Sequence, residues 1–367
     1  MIMARSKLPA TRAIGKFVDE MGDEEAGSFD YAVAVNRWSM RLLGLWPLDT
    51  RLSDLKCGVS FGLSLIVVLP AIARLFVLTD LVAIMYQANL TLPALPTFVR
   101  FVVMKVKAKN LRAVLHSMSR DWASYCYLSA RDRRSMFHYV KKGRRINVVY
   151  IAWMTLTIGA YILMPLGVAW LNDHPGNATD RRLPSEVFFP FPLEQSYAYE
   201  MIYVAQSIMA IISGTAIFSV DCFVCVVVFH ACGQLDVLAA TLERYDGTVE
   251  HERTGNARSH CCACLSCVVK RHVHIVNYMN VVEKSFDNFI LCQLLSTTII
   301  LAIQGFQIVL FARDSNITGF ITFLIYWITF TFYIFIYCYV GDCVIEKVTH
   351  ECHYYSIFLS FAKFMLT

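Results

Sequence analysis

Residues 198–228 read AYEMIYVAQSIMAIISGTAIFSVDCFVCVVV, with Glu200 and Asp221 the only charged side chains in the run. A helix of about 20 apolar residues crosses a bilayer core, so this stretch is long enough and apolar enough to do so. Working outward from it, five further stretches read the same way. They are about 56–78, 82–104 and 146–170 on the amino-terminal side, and about 286–311 and 319–341 on the other. Polar groups inside them, such as Arg74, Asn89 and Gln304, cost free energy in lipid and should face the bundle interior or snorkel. The hairpin joining the first two is tight, with Thr79 and Asp80 near its turn.

Composition agrees. Of 367 residues, 57% are hydrophobic and 17% charged, and the mean hydropathy is +0.50. Soluble domains run at roughly 45–50% apolar. One all-α membrane domain, a polytopic helical bundle with six readable transmembrane helices, is the simplest organisation. Residues 1–55 form an amino-terminal segment, 56–341 the bundle with helical extensions at 105–145 and 229–285, and 342–367 an atypical tail.

Charge placement sets the orientation. The segment from Lys105 to Arg145 holds twelve Lys and Arg against Asp121 and Asp132. Positive loops stay in the cytosol, which places this one inside and, counting back, the amino terminus inside too. The acidic residues Asp19, Glu20, Asp23, Glu24 and Glu25 precede any apolar core, so the first 30 residues are neither a secretory signal nor an Arg-rich transit peptide. The 171–197 loop falls outside, with four acidic residues against Arg181 and Arg182. The glycosylation sequons at Asn177 and Asn316 fall on that same outer side. A third, at Asn89, lies within a span and reads as chance. The net charge of +5 sits in these flanks, so membrane lipid is the expected contact and no nucleic-acid partner is implied.

None of the thirteen Cys lies in the two outer loops after the third span, so no structural disulfide is expected there. His260, Cys261, Cys262, Cys264 and Cys267, followed by His272 and His274, have spacings a tetrahedral zinc site could use. No second pair completes such a site, and membrane-adjacent thiols serve as packing groups or reversible palmitoylation sites, so no metal is expected. His272 and His274 are read on a helical extension entering the fifth span. Walker, GxGxxG, GxSxG and HExxH motifs are absent, as are paired intramembrane carboxylates, so there is no catalytic set and no cofactor. Asp221 and Asp287 are read as solvated ends or loop ion pairs near the cytosolic ends of spans four and five. No internal repeat of the kind transporters carry is visible.

The stretch His230-Ala231-Cys232-Gly233-Gln234-Leu235-Asp236-Val237-Leu238 resembles the H-x-x-G-Q-L-x-x-L signature of insect odorant receptors. Other segments agree with it in order: Gly44-Leu45-Trp46-Pro47, Asp121-Trp122, Pro190-Phe191-Pro192, Tyr199 through Gln206, Gly305-Phe306-Gln307, and Tyr337 through Asp342. G-protein-coupled receptors are a poor match: an extracellular Cys pair, Asp-Arg-Tyr and Asn-Pro-x-x-Tyr are missing and the charge orientation is reversed. A gustatory-type receptor is the nearer neighbour, but its signature lies in the last helix and the Gly-Gln-Leu motif favours olfaction.

The resemblance implies a tuning subunit that binds small volatile ligands and gates a non-selective cation channel together with a co-receptor. It would sit as a multi-pass protein in the plasma membrane of sensory dendrites. The implied pocket is walled in the outer half by Tyr86 and Leu90 of span two, Tyr161 and Ile162 of span three, and Tyr203, Gln206 and Met209 of span four. Ile303 and Phe306 of span five and Phe323 and Tyr326 of span six complete it. Co-receptor contact is implied for His230, Gly233, Gln234 and Leu235. The departure from the family lies after Lys347, where a seventh, pore-lining span is expected and an apolar run of about 14 residues from Tyr354 stands instead. On that reading the alternative is a truncated, non-conducting subunit or pseudogene product that binds the co-receptor and is retained in the endoplasmic reticulum.

Overall fold

The computed structural model describes residues 29–49, 51–125, 128–171, 183–184, 196–245, 264–315 and 317–365, and among them the regular structure is all helical. In chain order the helices are α1 (Phe29–Leu42), α2 (Arg51–Val77), α3 (Leu81–Thr91), a 3₁₀ turn (Leu92–Ala94), α4 (Leu95–Val106) and α5 (Ala108–Ala123). Four long ones follow: α6 (Ala130–Leu171), α7 (Ser196–Glu243), α8 (Leu265–Arg313) and α9 (Ile317–Met365).

Five of these contain stretches long and apolar enough to cross a membrane: Leu52–Val77, Ala130–Leu163, Tyr197–Glu243, Leu265–Arg313 and Gly319–Thr349. The sixth expected span, 82–104, is not one helix. Pro93 and Pro96 have no backbone N–H to give, so the chain tightens into the 3₁₀ turn and divides the span into α3 and α4. At the start of α3, Asp80 accepts a hydrogen bond from the Ala83 amide at 2.8 Å, a side-chain cap that closes the short turn after α2.

The apolar runs fill only one end of each long helix. At 1.5 Å per residue the 48-residue α7 is about 72 Å long against a core of roughly 30 Å. The surplus of α6, α7 and α8 continues past the basic end of the bundle, where α5 packs on α8 and α1. The stretch read as a separate tail continues α9 unbroken to Met365.

α7 is the central helix. In its most apolar stretch 72% of the residues are buried within the protein, against 17–22% in the other four spans. It packs against α1, α2, α4, α6, α8 and α9. Phe223 of α7 anchors the core, meeting Trp46 edge-on at 6.1 Å and Phe286 of α8 at 6.3 Å. Trp46 is delivered there by a sharp exit from α1. Gly44 takes φ +68°, Leu45 N–H donates to Met40 O at 2.7 Å, and a side chain at position 44 would collide with the Ser53 carbonyl. This is a helix ending that glycine accepts at little cost and other residues do not.

Candidate functional site

Three polar or aromatic centres are stacked along the bundle. The one farthest from the basic end holds part of the expected ligand set. Phe323 of α9 is 2% exposed, meets Tyr86 of α3 edge-on at 5.7 Å and Tyr326 edge-on at 6.1 Å, and stacks on Phe311 of α8 at 5.3 Å. On the other side Tyr203 of α7 donates to the backbone carbonyl of Ile162 of α6. Gln206 is buried one turn further along α7, and the Met209 sulfur accepts from Ser213 Oγ at 3.5 Å. Tyr161 and Ile303 are half-buried, whereas Phe306 is 44% exposed and turns to the bundle surface. Leu90 lies on α3, its side chain outside the described residues. Gln304 of α8 is fully buried, and neither end of its amide has a hydrogen-bond partner among the described residues. Such an orphan is costly unless something polar reaches it.

A charged centre lies deeper. Arg100 of α4 and Asp221 of α7 are each 1% exposed, and Arg100 Nη2 donates to both carboxylate oxygens at 3.1 Å and to Tyr333 Oη at 2.8 Å. Tyr150 of α6 and Tyr337 of α9 donate to Asp221 at 3.0 and 2.8 Å. One carboxylate thereby ties four helices together. The guanidinium carbon sits 5.3 Å from the centre of the Phe289 ring, which offers its π face to the charge. Asp221 is therefore not the solvated helix end expected above; Asp287, by contrast, is exposed. The available signal was an arginine and an aspartate each isolated in an apolar span, because intramembrane charges are tolerated in pairs.

At the basic end, Asp121 of α5 is held by two histidines. His230 Nε2 of α7 lies 2.9 Å from one oxygen and His274 Nε2 of α8 2.9 Å from the other. Burial alone would raise the Asp121 pKa, but the two imidazoles hold the carboxyl well below its ordinary value, at about 2. His230 also packs on Trp122 and Tyr278. The signature residues expected to touch a co-receptor face inward in this chain: His230 is 5% exposed, Gln234 9% and Leu235 4%. Gly233 lets the helices approach closely: a Cβ there would lie 3.0 Å from the Met136 sulfur of α6. Leu235 packs with Leu238 and Ile275.

Asn177, Asn316 and the His260–Cys262 part of the cysteine cluster lie outside the described residues. His272 and His274 stand on α8, the helix whose apolar stretch is the fifth span.

The family model for the 7tm odorant receptor matches residues 81–353. Odorant receptor 13a of Drosophila melanogaster is 22% identical over 288 residues, which is 76% of this chain and 66% of that protein. Odorant receptor 22c of the same species is 22% identical over 246 residues, 65% of this chain and 58% of the relative. The chain thus spans less than two thirds of the length of either. Among solved structures, the insect olfactory receptor OR5 from Machilis hrabei superposes with a TM-score of 0.70 at 16% identity, covering 88% of this chain and 83% of that one. The same receptor in complex with eugenol gives 0.69 at 17% identity, covering 88% and 84%. With a helical membrane bundle of this shape and a family match across most of its length, the chain belongs to the 7tm odorant receptor family.

Proposed function

We propose that this protein is an odorant-tuning subunit: it binds a small, mostly apolar volatile in the outer half of the bundle and with a co-receptor gates a cation channel in the plasma membrane of olfactory neurons. The carrying observation is the aromatic group around Phe323, with Tyr86 and Tyr326 edge-on to it, and on the neighbouring helix the Gln304 amide, which has no partner among the described residues. Rings give a volatile apolar area to cover, at about 25 cal/mol per Å² removed from water, and a hydroxyl edge or amide adds selectivity. Yet tight binding alone opens nothing; the ligand must favour the open arrangement over the closed one.

The structural link for that preference is short. Phe323 and Tyr326 stand on α9 two to four turns before Tyr333 and Tyr337, which hold the Arg100–Asp221 pair. A ligand that shifts α9 at its outer end therefore acts on a hydrogen-bonded centre shared by α4, α6 and α7. Co-expression with an insect co-receptor in oocytes tests the reading against a volatile panel. Inward currents beyond those of the co-receptor alone are expected, with Phe323→Ala moving the half-maximal concentration up by about tenfold or more. A panel-wide absence of added current in surface-expressed protein overturns it.

A further inference from the structure

The outward face of α6 changes character where the helix leaves the membrane. Within the span, Val149, Leu156 and Leu163 are exposed along it. Toward the start of the helix the same stripe carries Arg145, Lys141, His138, Arg134 and Arg131, all exposed and three or four residues apart. Side chains at that spacing share one face of a helix. Of the five, only Arg131 has an ion pair among the described residues, to Glu243 at 2.9 Å. Like charges three and four residues apart weaken a helix, so the stripe favours any anion that reaches it.

The length of the stripe selects the anion. From Arg145 to Arg131 it runs about 21 Å along the helix axis, whereas the field of membrane headgroups decays over about 8 Å at physiological salt. Lipid can serve the Arg145 end and not the rest. The chain itself carries an acidic block, in which Asp19, Glu20, Asp23, Glu24 and Glu25 put five carboxylates into seven residues. Four residues on from Glu25, α1 begins at Phe29, and its first turn is seated against this part of α6. The Tyr31 ring lies 4.3 Å from the Arg144 guanidinium carbon and 6.2 Å from the Phe137 ring. Lys141 Nζ stands 4.3 Å from the centre of that same Phe137 ring. Four residues span at most about 14 Å, so the acidic block enters beside the middle of the stripe.

We infer that residues 19–25, which lie outside the described residues, dock on the stripe formed by Arg134, His138, Lys141 and Arg145, an acidic clamp made within one chain. Ion pairs at an exposed surface are screened by salt, so the dock should weaken as salt rises.

Full-length protein in phosphatidylcholine nanodiscs, treated with a water-soluble carbodiimide and mapped by peptide mass spectrometry, tests this. The reagent joins a lysine amine to a carboxylate in contact with it. Links from Lys141 to the 19–25 block are expected, about fivefold more abundant than links from that block to Lys109 or Lys270, which are exposed on α5 and α8. They should fall about fivefold between roughly 0.05 and 0.5 M salt. Arg134→Glu with Arg145→Glu leaves Lys141 in place as reporter and should lower the links to a similar degree. Glu24→Gln with Glu25→Gln, which leaves three reactive carboxylates in the block, should do the same without touching α6. Equal linkage to all three lysines would mark an undocked tail, and linkage of Lys141 to Asp246, Glu250 or Glu252 instead would give the stripe to another segment. Loss of the links on adding phosphatidylserine would give it to lipid. Each of these results overturns the inference, as does a complete absence of links to Lys141.

Discussion

Asp221 and Asp121 are the same side chain in two settings, and the contrast shows what burial does to a carboxylate. Asp221 lies in the apolar middle of α7, 1% exposed, with donors from α4, α6 and α9. Asp121 sits in the basic segment, its side chain 13% exposed, held by one histidine from α7 and one from α8. Bulk solvent does not reach Asp221 to replace a lost partner, so every donor counts. Around Asp121 solvent reaches the site and screens it. The first centre resists change until it fails, whereas the second titrates.

The largest break in that comparison is Arg100→Leu. It leaves Asp221 charged and unpaired in the bundle core, and removing one member of a buried pair costs about 3–5 kcal/mol. Thermal unfolding in detergent should show the loss, and the double change Arg100→Leu with Asp221→Leu should recover much of it, because a neutral pair of similar volume needs no compensation. A double variant no more stable than Arg100→Leu would show that the tyrosines, rather than the charge pair, hold the four helices.

Acid sharpens the other side. Asp121 titrates at about 2 in the folded protein against an ordinary value of 3.8, so its contribution is present in full above about pH 4 and is lost as pH falls toward 2. The difference corresponds to about 2 kcal/mol. Asp121→Asn should abolish that part of the acid destabilisation, read from melting temperature against pH, while leaving the neutral-pH protein folded. An unchanged pH profile would deny the two histidines their role.

Gly233→Ala gives the smallest effect. The added methyl meets the end of a flexible Met136 side chain at 3.0 Å, so the sulfur must yield by a few tenths of an ångström. A cost of about 1 kcal/mol or less is expected, and because Met136 is itself buried the check is a double-mutant cycle in which Gly233→Ala costs less on a Met136→Ala background.

The sequence by itself determined the membrane class, the helical spans and the family resemblance. These rest on features that act locally: an apolar run of about 20 residues has no good alternative to a helix across the bilayer, and a block of Lys and Arg stays on the cytosolic side whatever the packing. Even the signature from His230 to Leu238 was legible as a motif. Its physical work was not, since His230 needs Asp121 from 109 residues away and Gly233 needs the Met136 of another helix. The broken second span was foreshadowed by Pro93 and Pro96, but two prolines in an apolar run kink some helices and end others, and the neighbours decide which. Only the tertiary structure could pair Arg100 with Asp221 and turn Phe306 outward while burying Phe323, because chain spacing carries no record of which helix faces which. The Gln304 amide, without a partner among the described residues, belongs to the same class: an unmet hydrogen bond is a property of everything packed around it.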